Sequence, residues 1–419
     1  MNTRDNSHVT PRIRKARIAT FAGFMILGAM LYTWAIGVSA FRRQLGLQGS
    51  LGDLDFGMVA LGIGVGSTVG ALCVGRFLDI FGPKSVIRVL MLLYPVSIIV
   101  LGFSNDFYFA MTFGIVLGTL RGATDTALNA HGVQVERFYR RPIMAAFHAF
   151  FSLGGFFFGI LASYLAGLFP LSAAAPFTFA GISLAVLSVL ANRFMLDKHE
   201  LLAAPQASAD LTAGAKGWDW RILAVIVAFG ALLTGGMVSE SAVNDWGQEF
   251  LNRQAGMSIA TAGLAISLFT GAGFIGRITG DRLAELIGVS RMLLCCGFTA
   301  ILGICLATLS THAVVAMAGF ALLGLGLACI APLMLSSAGR KDPANAGRNV
   351  GIVNGIGFSG LLAGPAAYSW IVSTFGIHAL FYIPLVLLGL LTLFGPLLMR
   401  ARAGNRSGSS RAGLSLPAK

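Results

Sequence analysis

Arg121, Asp125 and Asn129 stand at i, i+4 and i+8 within an otherwise apolar run from Phe107 to Val135, so a helix would gather them into one polar stripe. An ionised side chain near the centre of a bilayer costs about 2.5–3.5 kcal/mol on insertion scales, so the stripe must face a partner or a wet cavity. An acid one turn from a cation can carry a proton if substrate or a second conformation draws the cation aside, and the freed guanidinium can then hold an anionic or hydroxylated solute. The same pair could instead lock its helix to a neighbour. Glu240, Asn244 and Asp245 form a second group near the end of another run, with no cation close in sequence. Glu240 is there a proton-site candidate, or the acids cap a helix at a wet mouth. His148 shares a helical face with Ser152, Gly155 and Gly159, which suits a proton relay or a helix–helix hydrogen bond. Trp34, Asn354 and Tyr368 are further candidates to line a cavity. The few histidines are scattered and no phosphate-binding loop is present, so these groups point away from an enzyme and away from ATP-driven work.

The elements that must carry these residues are read from composition. Of 419 residues, 56% are hydrophobic and 11% charged, against about a quarter charged in a soluble domain. Apolar runs recur at 18–41, 54–78, 85–104, 107–135, 143–168 and 175–195, then at 220–243, 259–280, 290–309, 313–337, 349–373 and 378–399. Each is near the roughly 20 residues a helix needs to cross the hydrocarbon, and each is too long for a barrel strand. The expected fold is therefore an all-α polytopic membrane protein of twelve transmembrane helices. The runs divide six and six: residues 1–195 as one bundle, 196–219 as a polar linker, and 220–419 as a second bundle with a basic tail.

The formal charge of +13 could suggest a polyanionic partner, but its placement argues otherwise. With the N-terminus inside, 26 of the 30 Lys and Arg residues fall on the cytoplasmic side, three (Arg42, Arg43, Arg253) on the outer side, and Arg121 within a span. That is the positive-inside bias of an inner-membrane protein with both termini in the cytoplasm, and it implies no nucleic acid. The five cysteines lack CxxC spacing and read as small core residues; no metal or other cofactor is implied. Val38-Ser39-Ala40 has the look of a signal-peptidase site, but the preceding run is too long for a signal h-region.

Glycine, 54 residues, often falls at small-xxx-small spacing, as in Gly62, Gly66 and Gly70, which lets helix backbones approach closely. The halves echo one another at an offset of roughly 200 residues, as duplication would leave them. Gly75-Arg76 with Asp79 is answered by Gly276-Arg277 with Asp281 and Arg282, and Ser152, Gly155 and Gly159 by Ser359, Gly360 and Gly364.

The segment Gly75-Arg-Phe-Leu-Asp79-Ile-Phe-Gly82-Pro-Lys84 resembles the signature loop of the major facilitator superfamily, Gly-x-x-x-Asp-x-x-Gly-x-Lys/Arg. The resemblance implies two six-helix bundles that rock about a central site, with Gly75, Asp79, Gly82, Lys84, Asp281 and Arg282 in conformational loops. A narrower likeness, to fucose-permease-like bacterial sugar and rhizopine carriers, rests on Gly122 to Glu136, Arg141 to Gly155, Glu240 to Trp246 and Gly324 to Pro332. In that branch helix 4 carries an acid followed by Thr-Ala-x-Asn, which Asp125, Thr126, Ala127 and Asn129 match; this implies proton-coupled uptake of a sugar, polyol or cyclitol. The sequence departs from the pattern in helix 1, which offers Tyr32, Trp34 and Ser39 but no carboxylate. The expected partners are a small-molecule solute, protons and the lipid bilayer, and nothing in the sequence demands an oligomer. Proton-antiport efflux is the alternative, disfavoured by the absence of proline between Ile143 and Phe169. A transport-deficient sensor would need a cytoplasmic output module.

Overall fold

A computed structural model describes residues 9–139, 143–197, 200, 220–341 and 346–400. The first half folds as α1 (Pro11–Gln44), α2 (Gly49–Phe81), α3 (Pro83–Gly102), α4 (Phe107–Tyr139), α5 (Met144–Leu168) and α6 (Ala174–Asn192). The second folds as α7 (Trp220–Gln254), α8 (Ile259–Ile287), α9 (Val289–Leu309), α10 (Ala313–Leu327 and Ile330–Lys341), α11 (Ala346–Phe375) and α12 (Tyr382–Arg400). Eleven of these helices are long and apolar enough to cross a bilayer. The remaining one, α4, matches them at 33 residues, and its apolar character is diluted by the stripe that includes Arg121 and Asp125. Several helices exceed 28 residues and so run past the hydrocarbon. The chain is a multi-pass membrane protein.

The direction in which side chains are buried fits lipid as solvent. Large apolar residues such as Leu72, Val186, Leu309 and Leu393 face outward, whereas glycines and serines fill the contacts between helices. At the α2–α4 contact the backbones nearly touch: a Cβ on Gly66, Gly70, Gly118 or Gly122 would fall within 2.3 Å of a carbonyl oxygen of the facing helix. Such proximity is what small-xxx-small spacing provides where no hydrophobic force drives helices together.

Helix partners repeat between the halves. α1 packs on α5 and α6, α2 on α4, and α3 on α6; correspondingly α7 packs on α11 and α12, α8 on α10, and α9 on α12. Between halves, α5 packs on α8 and α2 on α11, again an exchanged pair, while α1 meets α7. Turn geometry repeats too. Gly46 and Gly256 both have positive φ, and the neighbouring side chains of Arg42 and Asn252 each donate to the carbonyl five residues on, at Leu47 and Met257. Gly82 and Gly288 each end one helix and begin the next at φ of 75° and 88°, a left-handed conformation that favours glycine.

Four sequence expectations change. The tenth run is not one continuous helix but breaks at Ala328–Cys329. Leu196, expected to open the linker, is buried and donates its N–H to His131 Nε2 at 3.0 Å. Cys73 and Cys295 lie on the exposed surface rather than in the core. Arg277, expected near the loop after helix 8, lies within α8 one helical turn before Asp281. Most of the linker, and the basic tail after residue 400, lie outside the described residues.

Candidate functional site

The α4 stripe forms, with a different internal pairing from the one its spacing suggested. Asn129 Nδ2 donates to Asp125 Oδ1 at 2.9 Å and to the Asp125 carbonyl at 2.9 Å. The residue at i+4 lies within reach of the one at i, and Asn129 takes up the carboxylate. Arg121 makes no hydrogen bond or ion pair among the described residues. It nevertheless lies within electrostatic reach of Asp125, and also of Asp245 in the second half and of Tyr32 and Tyr94. Because Asn129 uses its amide nitrogen on Asp125, its Oδ1 is left to accept from His148 Nε2, 3.2 Å away on α5. The imidazole also packs edge-on against Phe24. A carboxylate–amide–imidazole chain thus joins α4 to α5.

His131, one turn closer to the end of α4, is accounted for by structure alone. Its Nε2 accepts the Leu196 N–H, so Nδ1 carries the proton and donates to Thr20 Oγ1 at 3.1 Å. Thr20 in turn donates to the Ala16 carbonyl.

On α7, Ser241 Oγ donates to Asp245 Oδ2 at 3.1 Å. The Trp34 indole N–H faces the same carboxylate without closing a hydrogen bond of normal geometry. Trp34 itself is buried among Phe41, Phe56 and Phe177. Asn244 is buried with Oδ1 unpartnered. Glu240 makes no hydrogen bond among the described residues and lines a narrow crevice of about 10 Å³ with Tyr32, Ser152, Thr270 and Arg277. Arg277 crosses between halves there, its Nη1 donating to Ser152 Oγ. Tyr368 is fully buried and its hydroxyl donates to the Val238 carbonyl at 2.5 Å, so its ring borders a cavity of about 220 Å³ beside Thr234 and Ser359 while its polar end is occupied. Asn354 is half-buried and makes no hydrogen bond among the described residues. Neither cavity is lined by Arg121, Asp125 or Asn129.

Of the expected conformational loop, Gly82 forms the α2–α3 turn, Gly75 has open space around it, Asp79 is exposed and Lys84 is half-buried. Asp281 and Arg282 are exposed on the last turns of α8.

The densest polar contacts between halves lie at the end where α1 gives way to α2. Arg253 Nη1 on α7 donates to Asp53 Oδ1 at 2.8 Å and Oδ2 at 3.2 Å, and Arg42 pairs with the same Asp53. Ser39 donates its N–H to Gln248 Oε1 at 3.0 Å and its hydroxyl to Glu249 Oε2 at 2.8 Å, while Arg43 donates to Asn252 Oδ1 at 3.0 Å. Phe56 and Trp246 meet edge to face between them, with ring centres 5.2 Å apart. Sequence reasoning assigned Arg42, Arg43 and Arg253 only to the outer surface. The signal that could have found this cluster was Asp53, an acid one helical turn from the same boundary as two arginines.

Comparison with known proteins agrees with the architecture. Residues 222–417 match the family model described as Major Facilitator Superfamily. The chain is 28% identical over 358 residues to an uncharacterized MFS-type transporter of Yersinia pestis, covering 85% of this chain and 88% of the relative. It is 27% identical over 379 residues to the membrane protein MosC of Rhizobium meliloti, covering 90% and 88% respectively. Among solved structures, a bacterial homologue of the lysosomal transporter Spinster, in an inward-facing unoccupied conformation, aligns with a TM-score of 0.68 at 12% identity over 93% of this chain and 98% of the other. The nucleoside transporter NupG aligns with a TM-score of 0.64 at 13% identity, over 93% and 99%.

Proposed function

We propose that the chain is a secondary carrier of the major facilitator type, which the match of residues 222–417 and the likeness to an MFS-type transporter support, and that it takes up a small polar solute, of the sugar, polyol or cyclitol class, with protons. The observation that carries the proposal is the Asp125–Asn129–His148 hydrogen-bonded chain, with Arg121 beside it free of any direct partner among the described residues. A carboxylate hydrogen-bonded through an amide to an imidazole can accept a proton at its own oxygen, and the amide link ties that change of charge to His148 across the interface between α4 and α5. Arg121, uncommitted, can answer the change of charge on Asp125 by turning toward a solute or toward Asp245. Glu240 and Arg277, both of the second half, face Tyr32 and Ser152 of the first and offer an acceptor and a donor set suited to hydroxyl groups. Trp34, Asn244, Asp245, Asn354 and Tyr368 remain further candidates to border the solute, and of these Tyr368 lines a cavity.

In this reading residues 1–195 and 220–419 are two rocking bundles joined by a cytoplasmic linker at 196–219. The excess of Lys and Arg on one side supports a reading with both termini in the cytoplasm of a bacterial inner membrane. The α1–α2 end is then periplasmic, and the contacts of Asp53, Ser39 and Arg43 with α7 close it. The test is uptake into proteoliposomes with an imposed pH gradient, acid outside, across a panel of sugars, polyols and cyclitols. Accumulation of one class that collapses with a protonophore supports the proposal; accumulation indifferent to the gradient removes the proton from it.

A further inference from the structure

Asp53 is among the most thoroughly buried ionised groups described, at 1% exposure, and it is held by two arginines of different standing. Arg42 belongs to the same hairpin. Its Nη2 also donates to the Leu47 carbonyl at 3.1 Å, the Leu47 N–H returns to the Arg42 carbonyl at 2.9 Å, and its guanidinium covers the Phe56 ring at 4.9 Å. All of these partners lie on α1, α2 or the turn between them. Arg253 comes from α7 in the other half, and its side chain is 32% exposed, so it arrives from the wet side. Trp246, also of α7, closes over the other side of Arg42 at 4.7 Å.

We propose that Asp53 is a latch with one resident and one removable counter-ion: Arg42 stays with it through the transport cycle, and Arg253 leaves when the halves part at this end. The proposal rests on the alternating-access reading, in which the α1–α2 end opens. Its physical basis is the cost of stranding a charge. Removing both cations from a buried carboxylate is far more costly than breaking a half-exposed pair, whose leaving partner is rehydrated. Arg42 therefore makes opening possible while Arg253 opposes it. Two arginines on one carboxylate are assigned opposite effects on the same equilibrium, which a merely structural ion cluster would not produce.

The experiment measures the distance between spin labels on Gln48→Cys and Gln254→Cys, on either side of this end, in a chain whose Cys73, Cys295 and Cys305 are replaced by serine. It needs neither substrate nor a proton gradient, so loss of transport and failure of the latch are read separately. Arg253→Ala is expected to raise the long-distance population relative to the short by about 5-fold, the scale of a partly exposed ion pair. Arg42→Ala is expected to lower it by about 10-fold or more. Asp53→Asn added to Arg42→Ala is expected to restore at least the parent population, because no charge remains to be stranded. The rescue also guards against misfolding, since a chain damaged by loss of Arg42 would not be repaired by a second substitution. Shifts of the same sign for Arg253→Ala and Arg42→Ala, failure of Asp53→Asn to rescue, or one short distance in every variant would each overturn the latch.

Discussion

Replacing Gly122 by alanine tests whether the α2–α4 contact, which fixes the position of Arg121 and Asp125, is as close as described. A Cβ at Gly122 would stand 1.8 Å from the Ser67 carbonyl oxygen, where real Cβ contacts stay above 3.0 Å, so α4 must retreat from α2 by more than 1 Å (3.0 − 1.8). Oxygen on a backbone cannot swing aside as a side chain can. Overpacking of this kind costs about 1–3 kcal/mol, and alanine's better helix propensity returns at most about 1 kcal/mol. The net expectation is a loss of about 1–2 kcal/mol, seen as a lower thermal midpoint in detergent by tryptophan fluorescence. Gly118→Ala, with its Cβ 2.0 Å from the Ile63 carbonyl, should behave alike. The double variant should lose less than the sum, because one displacement relieves both clashes. Gly389→Ala on α12 meets nothing within 4 Å and should melt at or above the parent temperature. Gly122→Ala melting with the parent would refute the backbone contact and, with it, the rigid placement of Arg121 between Gly118 and Gly122.

Three further expectations follow from local geometry. Tyr368→Phe removes the hydroxyl that donates to the Val238 carbonyl and should cost about 0.5–1.5 kcal/mol by thermal or denaturant unfolding; an unchanged midpoint would mean that the bond is not made. Glu200, beyond the end of α6, feels burial, which raises its carboxyl pKa, but the Arg12 hydrogen bonds outweigh this and hold it below the usual carboxylate range. The stability it adds is therefore present at neutral pH and is lost as pH falls from the ordinary glutamate value of about 4.3 through the depressed one. The pair is about one-third exposed, so the advantage over Glu200→Gln should be small at pH 7 and fade as pH falls below the ordinary glutamate range; a difference independent of pH would exclude the pairing. His148→Phe keeps the contact with Phe24 but breaks the link to Asn129, so it should slow proton-driven uptake about tenfold or more while leaving the melting temperature within a few degrees. Uptake at the parent rate would take His148 out of the proton path.

Much of the architecture was legible because it is set by short-range regularities. Span length and charge content located the helices, i, i+4 spacing gathered Asp125 and Asn129, and Gly66 and Gly70 announced a close helix contact that indeed lies on α4. Gly82 marked a turn that only a positive φ can make. What stayed hidden depends on separations that no periodicity encodes. Asp53 meets Arg253 across 200 residues, and Arg277 meets Ser152 across 125. That Asp125 pairs with Asn129 and not with Arg121 was hidden as well, because both stand four residues from it and spacing treats them alike. The break at Ala328–Cys329 did have a local signal in Pro332, whose missing N–H and ring disrupt the helix at the carbonyl four residues back.

The central claim, that Asp125 couples proton movement to solute uptake, is tested most directly by comparing parent and Asp125→Asn proteoliposomes in two modes with the same solute. The account predicts that the variant loses accumulation driven by a pH gradient yet still exchanges labelled for unlabelled solute across the membrane. Gradient-driven accumulation at the parent level in Asp125→Asn would contradict it.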